Sequence, residues 1–438
     1  MTRRQLIKGA CVITVDPVIG TLARGDILID GERIAAVAPD IEADDVEVID
    51  GTGMIAIPGL VDSHRHLWMT LLRGFVSDGT WSTYGDEIFR GRRPLYRPED
   101  AYIATYAGAL EALDGGVTTV LDFADGMTAN GQAEESIRAL EGSGIRAVFC
   151  HGLDGDDGNR MSATRLRRDR LSGDDGRVTM GITTRALEKL PFEETHRDLG
   201  LGRNLGVRTI TCHAGMGALS RGVRWINALH DADLLGPDLI CSHGQSFDGG
   251  ELNLLAAAGT TIAISPESEI GQGGDPITWP ALEHGANIAL GADSVGSVSG
   301  DLFRQMQFAL KAGRGTRARA LDAQGIAPTE VLIPTAKMLE IATMGGARAL
   351  GLDDRIGSLT PGKQADIALI RTDRVGLMSG AAPELIVVLQ ANAGDVASVF
   401  VAGKQLKRDG RLLHVDLPAI KAKLESSRDY LDTTFAAT

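Results

Sequence analysis

Five polar side chains, each closing an apolar run, carry the strongest chemical signal in the chain. His64 and His66 end Pro58-Gly59-Leu60-Val61-Asp62-Ser63-His64-Arg65-His66. In an extended chain residues i and i+2 share a face, so both imidazoles point the same way. Two neutral imidazoles aimed at one point make half of a tetrahedral or trigonal-bipyramidal metal site. His213 ends Thr209-Ile210-Thr211-Cys212, His243 ends Leu239-Ile240-Cys241-Ser242, and Asp293 ends Ala289-Leu290-Gly291-Ala292. Each alone also reads as a hydrogen-bonded strand cap, and a bare His-x-His is common in cores. Together they point to a divalent cation and to hydrolysis, because such an ion lowers the pKa of its bound water toward about 7.

Other residues qualify this reading. His196, His230 and His284 fall in or beside helical patterns and His414 in the tail, so all four read as solvated surface; His151 either borders the pocket or belongs to the core. Ser265-Pro266-Glu267-Ser268-Glu269 places two carboxylates after a seventh apolar run, with Glu269 the favoured proton carrier and Glu267 a substrate contact. For both, a loop-capping or solvated carboxylate is the plain alternative. Trp68, Trp81 and Trp279 offer faces for a planar or apolar substrate, or for packing. Gly271-Gln272-Gly273-Gly274 lacks the following Lys-Ser/Thr of a phosphate loop.

Strand ends must converge for this chemistry to occur. Apolar runs at 59–62, 118–123, 146–150, 178–182, 208–212, 239–242, 260–264 and 288–292 alternate with amphipathic stretches such as 98–113 and 133–142. Eight strand–helix repeats predict an α/β chain built as a (β/α)8 TIM barrel over 58–354, with its site at the C-terminal strand ends. A doubly wound open sheet fits the same alternation, but only closure brings several strand ends to one point. Short strands at 5–15, 25–38, 45–57, 365–370 and 396–405 predict a small β-sandwich composed of 1–57 and 355–438. Connections 73–98 and 152–177 are long enough to serve as lids or interface elements, the first as a homodimer contact.

The 438 residues carry 44 Lys plus Arg against 58 Asp plus Glu, a net charge of −14. That balance disfavours nucleic acid and anionic membrane as partners and leaves a small-molecule substrate. No apolar run approaches the roughly 20 residues that span a bilayer. Cys11, Cys150, Cys212 and Cys241 are far apart in apolar stretches, as buried thiols in a reducing cytoplasm would be. Thr2-Arg3-Arg4-Gln5-Leu6-Ile7-Lys8 loosely mimics a twin-arginine signal, but the short apolar run before Asp16-Pro17 reads better as a first strand.

The Pro58–His66 segment, the isolated His213 and His243, Leu290-Gly291-Ala292-Asp293 and the closing Ile356-Gly357-Ser358-Leu359-Thr360-Pro361-Gly362-Lys363-Gln364-Ala365-Asp366 resemble the amidohydrolase superfamily, nearest its cytosine deaminase and triazine hydrolase branch. The resemblance spans nearly the whole chain. It implies one divalent metal held by His64, His66, His213 and Asp293, with His243 beside the bound water. Zinc is the simplest occupant, and iron, manganese or cobalt would accept the same donors. Two-metal members bridge their ions with a carboxylated lysine on the fourth strand; here that strand has none, and Lys189 comes too late.

One departure bears on substrate. Deaminases of the branch carry a glutamate three residues after the fifth-strand histidine, and Met216 stands there, unable to transfer a proton. The Pro-Glu-x-Glu segment is similar to that of members acting on thiocarbamates and phenylureas. The expected activity is therefore metal-dependent hydrolysis of a non-peptide C–N bond in an amide, carbamate or urea-like compound, with His243, Asp293 and Glu269 catalytic and Trp68 and Glu267 contacting substrate. The alternative is an aminohydrolase of a purine, pyrimidine or triazine-like ring, with Glu269 replacing the missing glutamate. A catalytically inactive metal-binding protein is the remote third reading.

Overall fold

Residues 4–129 and 131–437 are described by the structure, a computed structural model. Thr2 and Arg3 of the basic amino-terminal segment lie outside these residues; from Arg4 the chain is a strand, Arg4–Ile13. It starts a nine-stranded sheet drawn from both ends of the chain. The order is Arg411–Leu412, Lys404–Arg408, Val396–Val401, Ile367–Arg371, Met54–Pro58, Arg4–Ile13, Thr21–Asp30 and Arg33–Ala38, with Glu47–Asp50 also paired to Arg4–Ile13. Ala402-Gly403 forms its expected tight turn, with φ of 47° and 70°, a backbone that favours glycine.

The expected sandwich arises from this one sheet curling over itself. Its outer strand returns to the carboxyl-terminal half, where Ile34 N–H donates to Lys363 O at 2.9 Å and Gly362 N–H to Ile34 O at 2.8 Å. Ile7, Val12, Ile27 and Ile29 from one half then bury against Ile367, Leu369 and Phe400 from the other. Antiparallel pairing of Ile367–Arg371 with Met54–Pro58 makes the halves continuous.

Eight parallel strands form the second sheet in sequence order: Leu60–Arg65, Val117–Ala124, Arg146–Gly152, Val178–Thr184, Ile210–Ala214, Leu239–His243, Thr261–Ile264 and Asn287–Leu290. They occupy all eight predicted apolar runs, as strands buried on both faces should. The first and eighth approach through an Arg65–Asp293 bridge, Asp293 N–H donating to His64 O at 2.8 Å and His66 N–H to Asp293 O at 3.2 Å. This is a (β/α)8 barrel. Leu121, Phe123, Val148, Cys150, Ile240 and Ala289 belong to one buried cluster with Leu350 and Ile356. Seam closure therefore depends on the same residues that carry the candidate chemistry.

The two long connections are more structured than loops. After the first strand come a short helix, Trp81–Tyr84, a π-helical segment, Gly85–Arg92, and a 3-10 turn, Arg93–Leu95. Within 152–177 lies an α-helix, Asp157–Asp169, capped by Asp156. Only Ala163 and Leu166 of that helix are buried, so it lacks the apolar stripe by which a helix is read from sequence. The carboxyl-terminal helix, Leu417–Ala436, packs across the first connection, where Asp432 pairs with Arg92 at 3.0 Å. Among the described residues no helix is long and apolar enough to cross a membrane.

Candidate metal centre

All five strand-end groups converge. The His64 ring lies 5.1 Å from His66, 5.0 Å from His213 and 5.2 Å from His243 by centroids. His213 and His243 stack at 5.4 Å with planes 6° apart. Asp293 Oδ1 is 3.4 Å from His64 Nε2 and 3.5 Å from His66 Nε2. Donor atoms of His64, His66 and His213, and of His64, His243 and Asp293, fall within 4.8 Å of one another. His64 Nε2 is buried without a hydrogen-bond partner, a costly state that a cation would relieve. The nitrogen and oxygen donors fit a divalent metal.

Supporting groups aim these donors. Asp125 Oδ1 lies 3.1 Å from His66 Nδ1 and accepts from Trp68 Nε1 at 3.0 Å. A carboxylate on Nδ1 holds the proton there and leaves Nε2 with its lone pair facing the centre. Ser242 Oγ, 3.0 Å from Nδ1, fixes the orientation of the His64 ring. Sequence reasoning missed both; Ser242 directly precedes His243 and Asp125 follows the second strand by one residue, the signals that were available. His243 and Asp293 have φ of 82° and 61°, left-handed backbone that non-glycine residues rarely adopt and that clusters at functional sites.

Electrostatics separate the groups. Burial holds the His64 imidazole down near pKa 4, and burial and neighbouring imidazoles keep His213 well below its ordinary value. Both are therefore neutral, as metal donors must be. Burial pushes the Asp293 carboxyl up, but the adjoining His64 and the other imidazoles around it outweigh that and hold it well below the usual range.

The remaining sequence candidates separate into distinct surroundings. Glu269 is fully buried on a short helix, Pro266–Gly271. Its Oε1 accepts from Ser265 N–H at 2.7 Å and lies 3.4 Å from His243 Nδ1, while Oε2 is buried with no partner. Burial raises the Glu269 carboxyl despite the nearby His243. Glu267 is directed instead to Arg304 at 2.9 Å, Ser299 Oγ at 2.8 Å and Gln305 Nε2 at 3.2 Å. Trp68 is buried against Tyr96 and Phe89, its indole N–H spent on Asp125. Trp279 stacks beneath Arg317, whereas Trp81 lines a cavity with Met216. The fourth strand carries no lysine, and Lys189 is exposed in the turn beyond it.

Comparison with known proteins identifies the lineage. The profile of the Amidohydrolase family matches residues 55–186 and 214–406. The chain belongs to the amidohydrolase family. It is a metal-dependent hydrolase acting on carbon–nitrogen bonds other than peptide bonds. Among its relatives, a 5'-deoxyadenosine deaminase of Methanothermobacter thermautotrophicus is 30% identical over 90% of this chain and 91% of the relative. A 5-methylthioadenosine/S-adenosylhomocysteine deaminase of Pelotomaculum thermopropionicum is 29% identical over 96% and 97%. The crystal structure of atrazine chlorohydrolase TrzN from Arthrobacter aurescens TC1, complexed with zinc, superposes with a TM-score of 0.86 at 25% identity, covering 97% of this chain and 100% of that one. A zinc-bound adenosine deaminase from Xanthomonas campestris shares the fold, with a TM-score of 0.87 at 24% identity over 98% of both chains.

Proposed function

We propose that the chain is a single-metal amidohydrolase that cleaves the C–N bond of an amide, carbamate or urea-like small molecule, with Glu269 and His243 handling the proton. One observation carries this reading: a fully buried carboxylate, Glu269, lies against the strand-end His243 with its second oxygen unpartnered. His64, His66, His213 and Asp293 would hold the ion, which relatives bind as zinc. Iron, manganese or cobalt would suit the same donors. When bound, it lowers the pKa of water toward about 7 and polarises the scissile group. A fourth strand without lysine supports one ion rather than two.

The protein residues do the rest. Asp293 offers its second oxygen to the proton of the attacking water. His243 orients that water, stabilises the developing oxyanion and delivers a proton to the leaving nitrogen. Glu269, held by Ser265, fixes the His243 ring and exchanges the proton with it. Methionine at position 216 has no transferable proton, so the fifth-strand loop contributes none. Four free thiols, three of them buried, support a cytoplasmic location.

A second reading, aminohydrolysis of a purine, pyrimidine or triazine-like ring, is favoured by the deaminase names of the relatives. Panels of anilides, carbamates and ureas beside nitrogen heterocycles separate the two. Turnover confined to the first group supports the proposal. Ammonia released from heterocycles alone replaces it with the second reading.

A further inference from the structure

Beside the histidine cluster lies a cavity of about 440 Å³, lined among others by Trp81, Met216, Leu219, Gln245 and Gln272, with Arg221 at its exposed mouth. It is tied to the reacting groups through its lining: Gln245, two residues after His243, donates to Glu269 O at 3.3 Å, and Met216 lies three residues after His213. Its apolar wall is held in place. Met216 N–H donates to Ser220 Oγ at 2.7 Å, Ser220 Oγ donates to Glu188 Oε1 at 2.5 Å, and Gly215 N–H donates to the same oxygen at 3.0 Å. Gly215 and Gly217 flank Met216 with φ of 69° and 55°. A half-buried carboxylate, Glu188, in the turn after the fourth strand thus clamps a tight turn that places a thioether in the cavity lining.

From this geometry we infer that the cavity is the subsite for the substituent on the leaving nitrogen, so that the enzyme releases a substituted amine rather than ammonia. The inference deepens the proposed function and rests on its assignment of His243 and Glu269 as the proton-handling pair. A C–N bond breaks with its electron pair going to nitrogen, which must take a proton from a group beside it. Water supplies hydroxyl to the carbonyl carbon and, through protein side chains, that proton to nitrogen, giving an acid and R–NH2. Because Gln245 joins the cavity wall to Glu269, a leaving nitrogen that takes its proton from this pair directs its substituent toward the cavity. Trp81, Met216 and Leu219 present apolar surface to an aryl or alkyl group, while the Gln245 and Gln272 amides suit a polar ring substituent.

The test compares, for one acyl group, an anilide and the primary amide, scoring aniline and ammonia separately. The anilide should be favoured in kcat/KM by roughly tenfold or more, as expected when an apolar pocket is filled. Met216→Ala and Ser220→Ala should raise KM for the anilide roughly tenfold with kcat little changed and raise it far less for the primary amide, and Met216→Leu should restore the anilide KM. Aniline binding should change tryptophan fluorescence in the parent protein and in Met216→Leu, but not in Trp81→Phe. Preference for the primary amide, or equal effects of Met216→Ala on both substrates, would overturn the subsite. Those results would leave C–N hydrolysis intact. Conversely, an unaltered rate in Glu269→Gln with the anilide preference retained would remove the proton pair, and with it the orientation argued here.

Discussion

At the level of single residues, the centre depends on side chains that never touch the substrate. Asp125 is tied at once to His66 Nδ1 and to the Trp68 indole, so it sets both the tautomer and the tilt of a donor ring. Asp125→Asn should weaken metal affinity by about 10- to 100-fold while leaving the fold intact, read by competition with a chelator. Glu269→Gln keeps the shape of the buried side chain but not its proton exchange; kcat should fall by at least about 10²-fold with KM nearly unchanged. His151 presents a different case. It is buried beside Phe149 with both ring nitrogens unpartnered, and burial lowers its pKa to about 4 from 6.5. The folded form therefore stays neutral where the unfolded chain takes a proton. Stability is lost as pH falls from 6.5 toward 4, by about 3 kcal/mol in all. His151→Phe should flatten that part of the pH–stability curve in denaturant titrations; an unchanged slope would mean the imidazole is solvated.

At the level of elements, the barrel seam is the place where packing and chemistry meet. Gly291 sits so close to the first strand that an added Cβ would come within 2.6 Å of both His64 Cβ and His64 O. Gly291→Ala should force the eighth strand away from the first, costing about 1–3 kcal/mol and loosening the His64–Asp293 pair. Thermal melts with and without added zinc would show a reduced Tm and a smaller metal-induced rise. The eight barrel strands were legible because strands buried on both faces read as continuous apolar runs, and His64, His66, His213, His243 and Asp293 because they end such runs. What escaped notice has physical reasons. Asp125 acts on His66 from the end of the neighbouring second strand and Ser242 reaches His64 across the barrel, and no spacing along the chain records either contact. The helix Asp157–Asp169 buries too little to mark itself in a pattern dominated by arginine and aspartate. The sequence favours Glu269 over Glu267 as proton carrier, but spacing alone could not show that the helical turn they occupy sends Glu267 to Arg304 and Glu269 to His243.

For the whole molecule, the curled terminal sheet and the barrel are joined by a buried ion pair. Arg146, at the start of the third barrel strand, holds Asp366 through Nε and Nη2, each at 3.1 Å, and also bonds Gln364. Removing one partner strands the other in a dry interface, so Arg146→Ala should cost about 3–5 kcal/mol. The double variant Arg146→Met with Asp366→Asn should lose less than that, because no charge is left unpaired. Equilibrium unfolding of the three proteins distinguishes a structural tie from a dispensable one. The terminal strands were readable singly, but not their union in one sheet, since the pairing of Met54–Pro58 with Ile367–Arg371 joins segments over 300 residues apart.

Metal content measured against activity tests the central claim, that distant strand ends of one polypeptide assemble around a single catalytic cation. The account predicts about one divalent ion per chain, removed with all hydrolytic activity by a chelator, restored together by zinc, and absent from His64→Ala and His213→Ala. Hydrolysis unchanged after complete metal removal, or two tightly held ions per chain, would contradict it.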